Sequence, residues 1–121
     1  MLRTGVDIIE VARIDQAILR YQERFFNRFF TPQELIDAQG RIPALAARFA
    51  AKEAVAKALG CGIGDVGWLE IEIRSDERRR PELVLHGAAQ RLAAELGLTE
   101  WSVSLSHTHE HAVALVVAQG K

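Results

Sequence analysis

Residues 48–60 constrain the fold of this chain most, because they carry the strongest local structural signal in the sequence. The segment reads Arg-Phe-Ala-Ala-Lys-Glu-Ala-Val-Ala-Lys-Ala-Leu-Gly. Alanine, leucine, lysine and glutamate all favour a helix, and the glycine that follows Leu59 suits a helix C-terminus. We therefore predict a long central helix that ends near Leu59.

This helix has one face of small residues and a charged half opposite. The small face comprises Ala47, Ala50, Ala51, Ala54 and Ala58. At 100° per residue, Arg48 and Lys52 share one edge of the charged half, and Glu53 and Lys57 share the other. A solvated face with an i,i+4 ion pair would explain these charges, and so would a site that holds a polyphosphate with a metal ion. The helix alone does not decide between them.

Composition and charge narrow the class of protein. The chain has 121 residues, of which 49% are hydrophobic and 26% charged, so we expect a single globular domain over residues 1–121. A net charge of −1 predicts no general attraction to nucleic acid or to an anionic membrane. One cysteine excludes an internal disulfide. We see neither a signal peptide nor an apolar run of about 18 residues, so a cytoplasmic location is the default.

The other predicted elements are strands and helices in irregular order. Residues 5–9 predict a strand and residues 11–29 a helix, and Thr31 to Glu34 form a capping box that begins a short helix. Further strands are expected at 68–73 and 82–85, a helix at 87–96, and a C-terminal hairpin with strands at 101–106 and 112–118. This order predicts an α+β domain with an antiparallel sheet and a long central helix.

Asp7 is unusual in the first predicted strand, because it stands between Val6 and Ile8. It lies either on a solvent-facing side, which is commoner, or where burial requires a cation beside it. Ile9 shares its face and keeps the second alternative open. Proteins usually hold Mg²⁺ through one or two carboxylates, water and substrate phosphates, which Asp7 and Glu53 would allow. With lysines beside it, such a site would suit phosphoryl transfer.

Three further groups of side chains are candidates for binding. A row of arginines on the first predicted helix is either solvated or a docking surface for an acidic helix. The row comprises Arg13, Arg20, Arg24 and Arg28. Histidines at positions 107, 109 and 111 would bind zinc in an extended segment, but a turn would not point them to one face. The basic triplet at 78–80 is either solvated or in contact with a phosphate.

Taken together, these segments make the sequence resemble the holo-[acyl-carrier-protein] synthases, the small bacterial type of the 4′-phosphopantetheinyl transferase superfamily. The matching segments are residues 5–10 with 13–14, 30–31 with 34–35, 48–54 with 57–60, 62–64 and 104–108. The resemblance covers almost the whole chain and implies that superfamily's fold. It implies transfer of 4′-phosphopantetheine from coenzyme A to a serine of apo acyl carrier protein, releasing adenosine 3′,5′-bisphosphate. Such an activity would support fatty acid biosynthesis.

The resemblance also implies specific catalytic roles. Asp7 and Glu53 would bind the Mg²⁺ cofactor, which bridges to the coenzyme A pyrophosphate. Lys57 would neutralise the charge that develops on the pyrophosphate as its bond breaks. The sequence does not identify the general base, and Glu53, another carboxylate and a metal-bound water all remain candidates.

Coenzyme A and the carrier protein would contact other residues. The resemblance makes Arg48, Lys52, Lys57, His107 and Thr108 the candidates for coenzyme A binding. The arginine row would bind the acidic recognition helix of the carrier protein. Family members of this size are homotrimers with active sites between subunits, which the alanine face and the apolar last strand permit.

The chain departs from the family in one turn. Family members commonly have glycine before the proline of the turn at residues 75–81, where this chain has Arg79, Arg80 and Pro81. Either a backbone contact to adenine is lost there, or the loop has a different shape. The alternative function is a non-catalytic module that binds coenzyme A or docks a carrier protein. The lysines and both carboxylates argue against this alternative.

Overall fold

The computed structural model of the protein describes residues 1–120. The strands are β1 (Leu2–Glu10), β2 (Ile71–Ser75), β3 (Pro81–Leu85), β4 (Leu98–His107) and β5 (His111–Gly120). The helices are α1 (Val11–Tyr21), α2 (Glu23–Phe29), α3 (Pro32–Ala38), α4 (Ile42–Leu59) and α5 (Gly87–Glu95), with a short 3₁₀ helix at Trp68–Glu70. Helices and antiparallel strands confirm the predicted α+β class. Within the described residues, no helix has the length and apolar character to cross a membrane.

The larger sheet has the strand order β1-β5-β4, and β2 pairs with β3 in a second, two-stranded sheet. All strand pairs are antiparallel. The apolar β5 is the central strand, as its sequence predicts. Its inward side is completely buried and consists of Ala112, Ala114, Val116 and Ala118.

The long helix α4 packs across the inward face of this sheet. Gly60 ends it in a left-handed conformation, with φ of 75°, as predicted. The alanine face is buried inside the subunit, since Ala50, Ala54 and Ala58 are at most 1% exposed. The alanine face is therefore used for internal packing, and the suggestion that it could serve a subunit interface is wrong.

Gly5 is the point of closest approach between β1 and α4. A Cβ atom at Gly5 would lie 1.8 Å from the Ala54 carbonyl oxygen and 2.8 Å from its carbonyl carbon. We expect Gly5→Ala to push the strand from the helix and to lower the free energy of unfolding by about 1–3 kcal/mol, measured by urea denaturation. Thr4→Ala on the exposed side of β1 is the control, with an expected change of about 0.5 kcal/mol or less. Equal stability of the two variants would contradict this packing.

Two predicted elements differ in the structure. The predicted helix at 11–29 is broken at Gln22, which has φ of 51° and separates α1 from α2. The predicted strand at 68–73 begins as a 3₁₀ helix, because Glu70 accepts hydrogen bonds from the backbone N–H groups of Gly67 and Ala88, both at 2.6 Å. These contacts curl the chain before β2 begins.

Candidate active site

Asp7 and Lys57 meet where β1 crosses α4. The Lys57 ammonium lies 3.1 Å from Asp7 Oδ1 and donates a hydrogen bond to the Val6 carbonyl at 2.9 Å. The side chains are 22% exposed for Asp7 and 54% for Lys57. Asp7 thus points toward the helix, with a cation beside it, and the solvent-facing alternative is excluded.

Glu53 lies one helical turn before Lys57 and is half-buried. Burial raises the pKa of Glu53, the negative charge of Asp7 raises it further, and Lys57 partly opposes both effects. Glu53 is thus within electrostatic reach of both Asp7 and Lys57, so two carboxylates and one ammonium are neighbours at this junction. Mg²⁺ prefers carboxylate oxygens, so this donor set fits the ion.

Lys52 has a structural role in this fold, which counts against its predicted contact with coenzyme A. Its side chain is completely buried, and its ammonium lies 2.7 Å from Glu34 Oε1. The ammonium also donates to the carbonyls of Trp68 at 2.9 Å and Ile71 at 2.6 Å. An ammonium has three donors, and these partners use all of them. Burial lowers the pKa of Lys52, and the Glu34 carboxylate opposes that shift.

Arg48 is also mostly buried, with 6% of its surface exposed. It donates to the Ile73 carbonyl at 3.2 Å, to the Ala44 carbonyl at 3.3 Å and to Ser75 Oγ at 2.8 Å. Burial lowers the pKa of Arg48, against the raising effects of Glu34 and Asp37. The guanidinium nevertheless lines an open cleft, so its predicted contact with coenzyme A stays a prediction.

His107 is the exposed last residue of β4, and Thr108 begins the exposed turn that leads to β5. The Thr108 hydroxyl accepts hydrogen bonds from the backbone N–H groups of Glu110 at 3.3 Å and His111 at 3.1 Å. Thr108 therefore shapes the turn and leaves the His107 ring at the surface. Contact of either residue with coenzyme A stays a prediction.

The helix break at Gln22 divides the arginine row. Arg13 and Arg20 are on α1, and Arg24 and Arg28 are on α2; all four are exposed. Sequence reasoning missed how Tyr21 joins the two helices: the guanidinium carbons of Arg20 and Arg24 lie 5.4 and 5.9 Å from its ring centre. Such cation–π contacts hold the two cations on one side of the surface.

A second missed feature is an aromatic cluster beside these arginines. Phe49 of α4 stacks on Trp68 with ring centres 4.6 Å apart, and Phe29 of α2 meets the same Trp68 edge-on at 4.9 Å. An open cleft of about 750 Å³ lies next to the cluster. The lining residues are Ala17, Tyr21, Arg24, Phe25, Arg28 and Phe29. The surface thus combines apolar rings with cations.

The fold is that of a transferase superfamily. The family model of the 4′-phosphopantetheinyl transferase superfamily matches residues 3–116, and the chain belongs to this superfamily. The holo-[acyl-carrier-protein] synthase of Herpetosiphon aurantiacus is 50% identical over 127 residues, covering 99% of this chain and 100% of that protein. The synthase of Moorella thermoacetica is 47% identical, and the match covers 98% of this chain and 94% of that protein.

Solved structures of holo-[acyl-carrier-protein] synthases are also similar to this chain. The holo-[acyl-carrier-protein] synthase of Helicobacter pylori in complex with coenzyme A has a TM-score of 0.88 at 31% identity, covering 96% of this chain and 99% of that one. The synthase of Neisseria meningitidis has a TM-score of 0.87 at 36% identity, covering 97% of each chain. The chain is accordingly an enzyme of the holo-[acyl-carrier-protein] synthase type, a phosphopantetheinyl transferase.

Proposed function

We propose that this enzyme transfers 4′-phosphopantetheine from coenzyme A to a serine of apo acyl carrier protein, releasing adenosine 3′,5′-bisphosphate. The observation that carries the proposal is the junction of β1 and α4, where Lys57 bonds to Asp7 and Glu53 lies one turn away. We infer the carrier protein from the names of the relatives, which are holo-[acyl-carrier-protein] synthases. We infer coenzyme A from the Helicobacter pylori relative, whose structure is a complex with coenzyme A. A cytoplasmic location and a role in fatty acid biosynthesis are part of the same proposal.

The side chains of this site have separate tasks. Asp7 and Glu53 would hold Mg²⁺, which when bound would neutralise charge on the pyrophosphate of coenzyme A. Lys57 is more than half exposed, so its ammonium can exchange Asp7 for a phosphate oxygen of the substrate. There it would stabilise the negative charge that grows on the leaving phosphate.

The direct test is a mass measurement. Purified enzyme, an apo carrier protein, coenzyme A and Mg²⁺ should give a carrier heavier by one phosphopantetheine group, together with adenosine 3′,5′-bisphosphate. A non-catalytic module would bind coenzyme A or the carrier without this mass gain. That result would overturn the proposal.

We propose that the arginine row (Arg13, Arg20, Arg24 and Arg28) docks an acidic helix of the carrier protein, because all four cations are exposed and two of them, Arg24 and Arg28, line a cleft with aromatic side chains. Arg24→Glu should weaken carrier binding about tenfold or more at low salt, and the loss should shrink as salt increases. Binding of both ligands can be measured by calorimetry. Arg91→Glu, a charge reversal on the exposed side of α5, is the matched control. Coenzyme A affinity should be unchanged in both variants, and its loss in Arg24→Glu would contradict the docking role.

We also propose that the enzyme is a homotrimer with active sites between subunits. The outward face of the larger sheet supports this, because Val6, Ile8 and Leu115 are 55%, 64% and 47% exposed. Val6 pairs directly with Leu115, and Ile8 pairs with Val113, so these side chains form one apolar patch. A patch of this kind commonly marks a protein interface. Light scattering in solution gives the mass that tests the assembly.

A further inference from the structure

The ammonium of Lys57 contacts the same carboxylate that the proposed metal site needs. It lies 3.1 Å from Asp7 Oδ1 and donates a hydrogen bond of 2.9 Å to the Val6 carbonyl. Carboxylate and backbone carbonyl oxygens are also ligands that hard divalent cations take in proteins. Lys57 and a divalent cation therefore draw on the same group of oxygen atoms.

The backbone around Asp7 is closely packed. Gly5 lies on the same face of β1, and a Cβ atom there would be 1.8 Å from the Ala54 carbonyl oxygen of α4. The Asp7 side chain is only 22% exposed. An exchange of partners at Asp7 thus needs least movement when the Lys57 side chain makes it.

Lys57 is suited to such an exchange. Its side chain is 54% exposed and has a flexible four-carbon stem, and an exposed ion pair of this kind is weak. An ammonium has three donors, and within residues 1–120 its contacts with Val6 and Asp7 use two of them. A phosphate oxygen can therefore engage the third donor before the ammonium leaves Asp7.

The charges at this junction favour the same order of events. Asp7 and Glu53 are two carboxylates beside the single ammonium of Lys57. A divalent cation added to these three groups would make their sum positive, because the ammonium already compensates one carboxylate. The pyrophosphate of coenzyme A would supply the negative charge that allows both cations to remain.

We propose that Lys57 competes with the metal ion for Asp7 and that the pyrophosphate of coenzyme A removes this competition. The phosphate oxygens draw the ammonium from Asp7, and the released carboxylate binds Mg²⁺ more tightly. One side chain thereby couples the two ligands, and the coupling is reciprocal. The inference rests on the proposed function, because it takes coenzyme A as the substrate and Asp7 and Glu53 as the metal ligands.

The first test measures Mg²⁺ binding alone by calorimetry. We expect Lys57→Met to tighten Mg²⁺ binding about fivefold, because no ammonium has to leave Asp7. Lys57→Arg keeps a cation that can pair with Asp7 and should bind Mg²⁺ no more tightly than the unaltered enzyme. Arg3→Met is the matched control, since Arg3 is four residues from Asp7 on the same strand face and donates to the Ala58 carbonyl at 3.4 Å. Its removal should change the affinity by less than about twofold, because salt screens a charge at that distance.

The second test repeats the Mg²⁺ titrations with coenzyme A present and no carrier protein. Coenzyme A should tighten Mg²⁺ binding about fivefold more in the unaltered enzyme than in Lys57→Met, because only the unaltered enzyme has an ammonium to release. Three results would overturn the proposal: no Mg²⁺ binding, equal affinity for Mg²⁺ alone in the unaltered enzyme and Lys57→Met, or equal tightening in Lys57→Met and Arg3→Met. Equal coupling to coenzyme A with and without Lys57 would also overturn it. Neither titration involves transfer, so the mass gain of the carrier protein can still be observed when this proposal fails.

Discussion

Replacing Glu53 with glutamine or Asp7 with asparagine is expected to slow modification of an apo carrier protein at least about a hundredfold, with the fold intact. Each amide preserves the shape of the side chain and removes a negative charge that would hold Mg²⁺. Asp7→Asn also removes the ionic partner of Lys57, which lies 3.1 Å away. Neither side chain belongs to the apolar core, so the change in stability should be small.

Initial rates from mass spectrometry of the carrier protein, taken over a series of Mg²⁺ concentrations, give the measurement. Glu95→Gln, on the exposed side of α5, is the matched control and should keep full activity. Thermal unfolding of each variant separates a loss of chemistry from misfolding. Near-normal turnover by either variant would exclude the metal site proposed for Asp7 and Glu53.

The second large effect is expected from Lys52→Met, which should lower the free energy of unfolding by about 3–5 kcal/mol. The substitution leaves the Glu34 carboxylate buried without its cation, and it leaves the Trp68 and Ile71 carbonyls without their donor. Removing one partner of a buried pair is costly because the other charge cannot return to water.

Lys57→Met is the matched control, since it removes a lysine five positions further along the same helix. Its side chain is 54% exposed, so we expect a change of about 1 kcal/mol or less in stability together with a large loss of activity. Denaturant midpoints and transfer rates are measured on both variants. Lys52→Met should lower the midpoint strongly, whereas Lys57→Met should mainly lower the transfer rate. A stable Lys52→Met variant with weakened coenzyme A binding would instead support the contact that the sequence suggested.

Lys52 and Lys57 show which features of the site helical periodicity predicts and which it does not. Helical periodicity correctly separates the edge with Arg48 and Lys52 from the edge with Glu53 and Lys57. It does not say which edge faces the interior, because that depends on where α3 and β2 pack. Glu34 illustrates the difficulty: its place in the capping box accounts for its sequence position, yet its carboxylate also holds Lys52 and the Ile73 N–H.

Local signals with strong backbone preferences were predicted correctly. The capping box at Thr31, the left-handed Gly60 and the central apolar strand β5 all occur as expected. The break at Gln22 was missed because glutamine is an ordinary helix former and carries no signal for a positive φ. The 3₁₀ turn at Trp68–Glu70 was missed because contacts with α4 and α5, distant in sequence, produce it.

The buried pair between Lys52 and Glu34 has a consequence for motion. A helix whose side chain is fastened to α3 and to the backbone at the start of β2 cannot turn about its own axis. Glu53 projects 100° further round that helix, so its direction is fixed by its neighbour in sequence. Any adjustment of the site to an arriving substrate must therefore come from β1 or from side-chain rotation, while α4 remains a stationary reference.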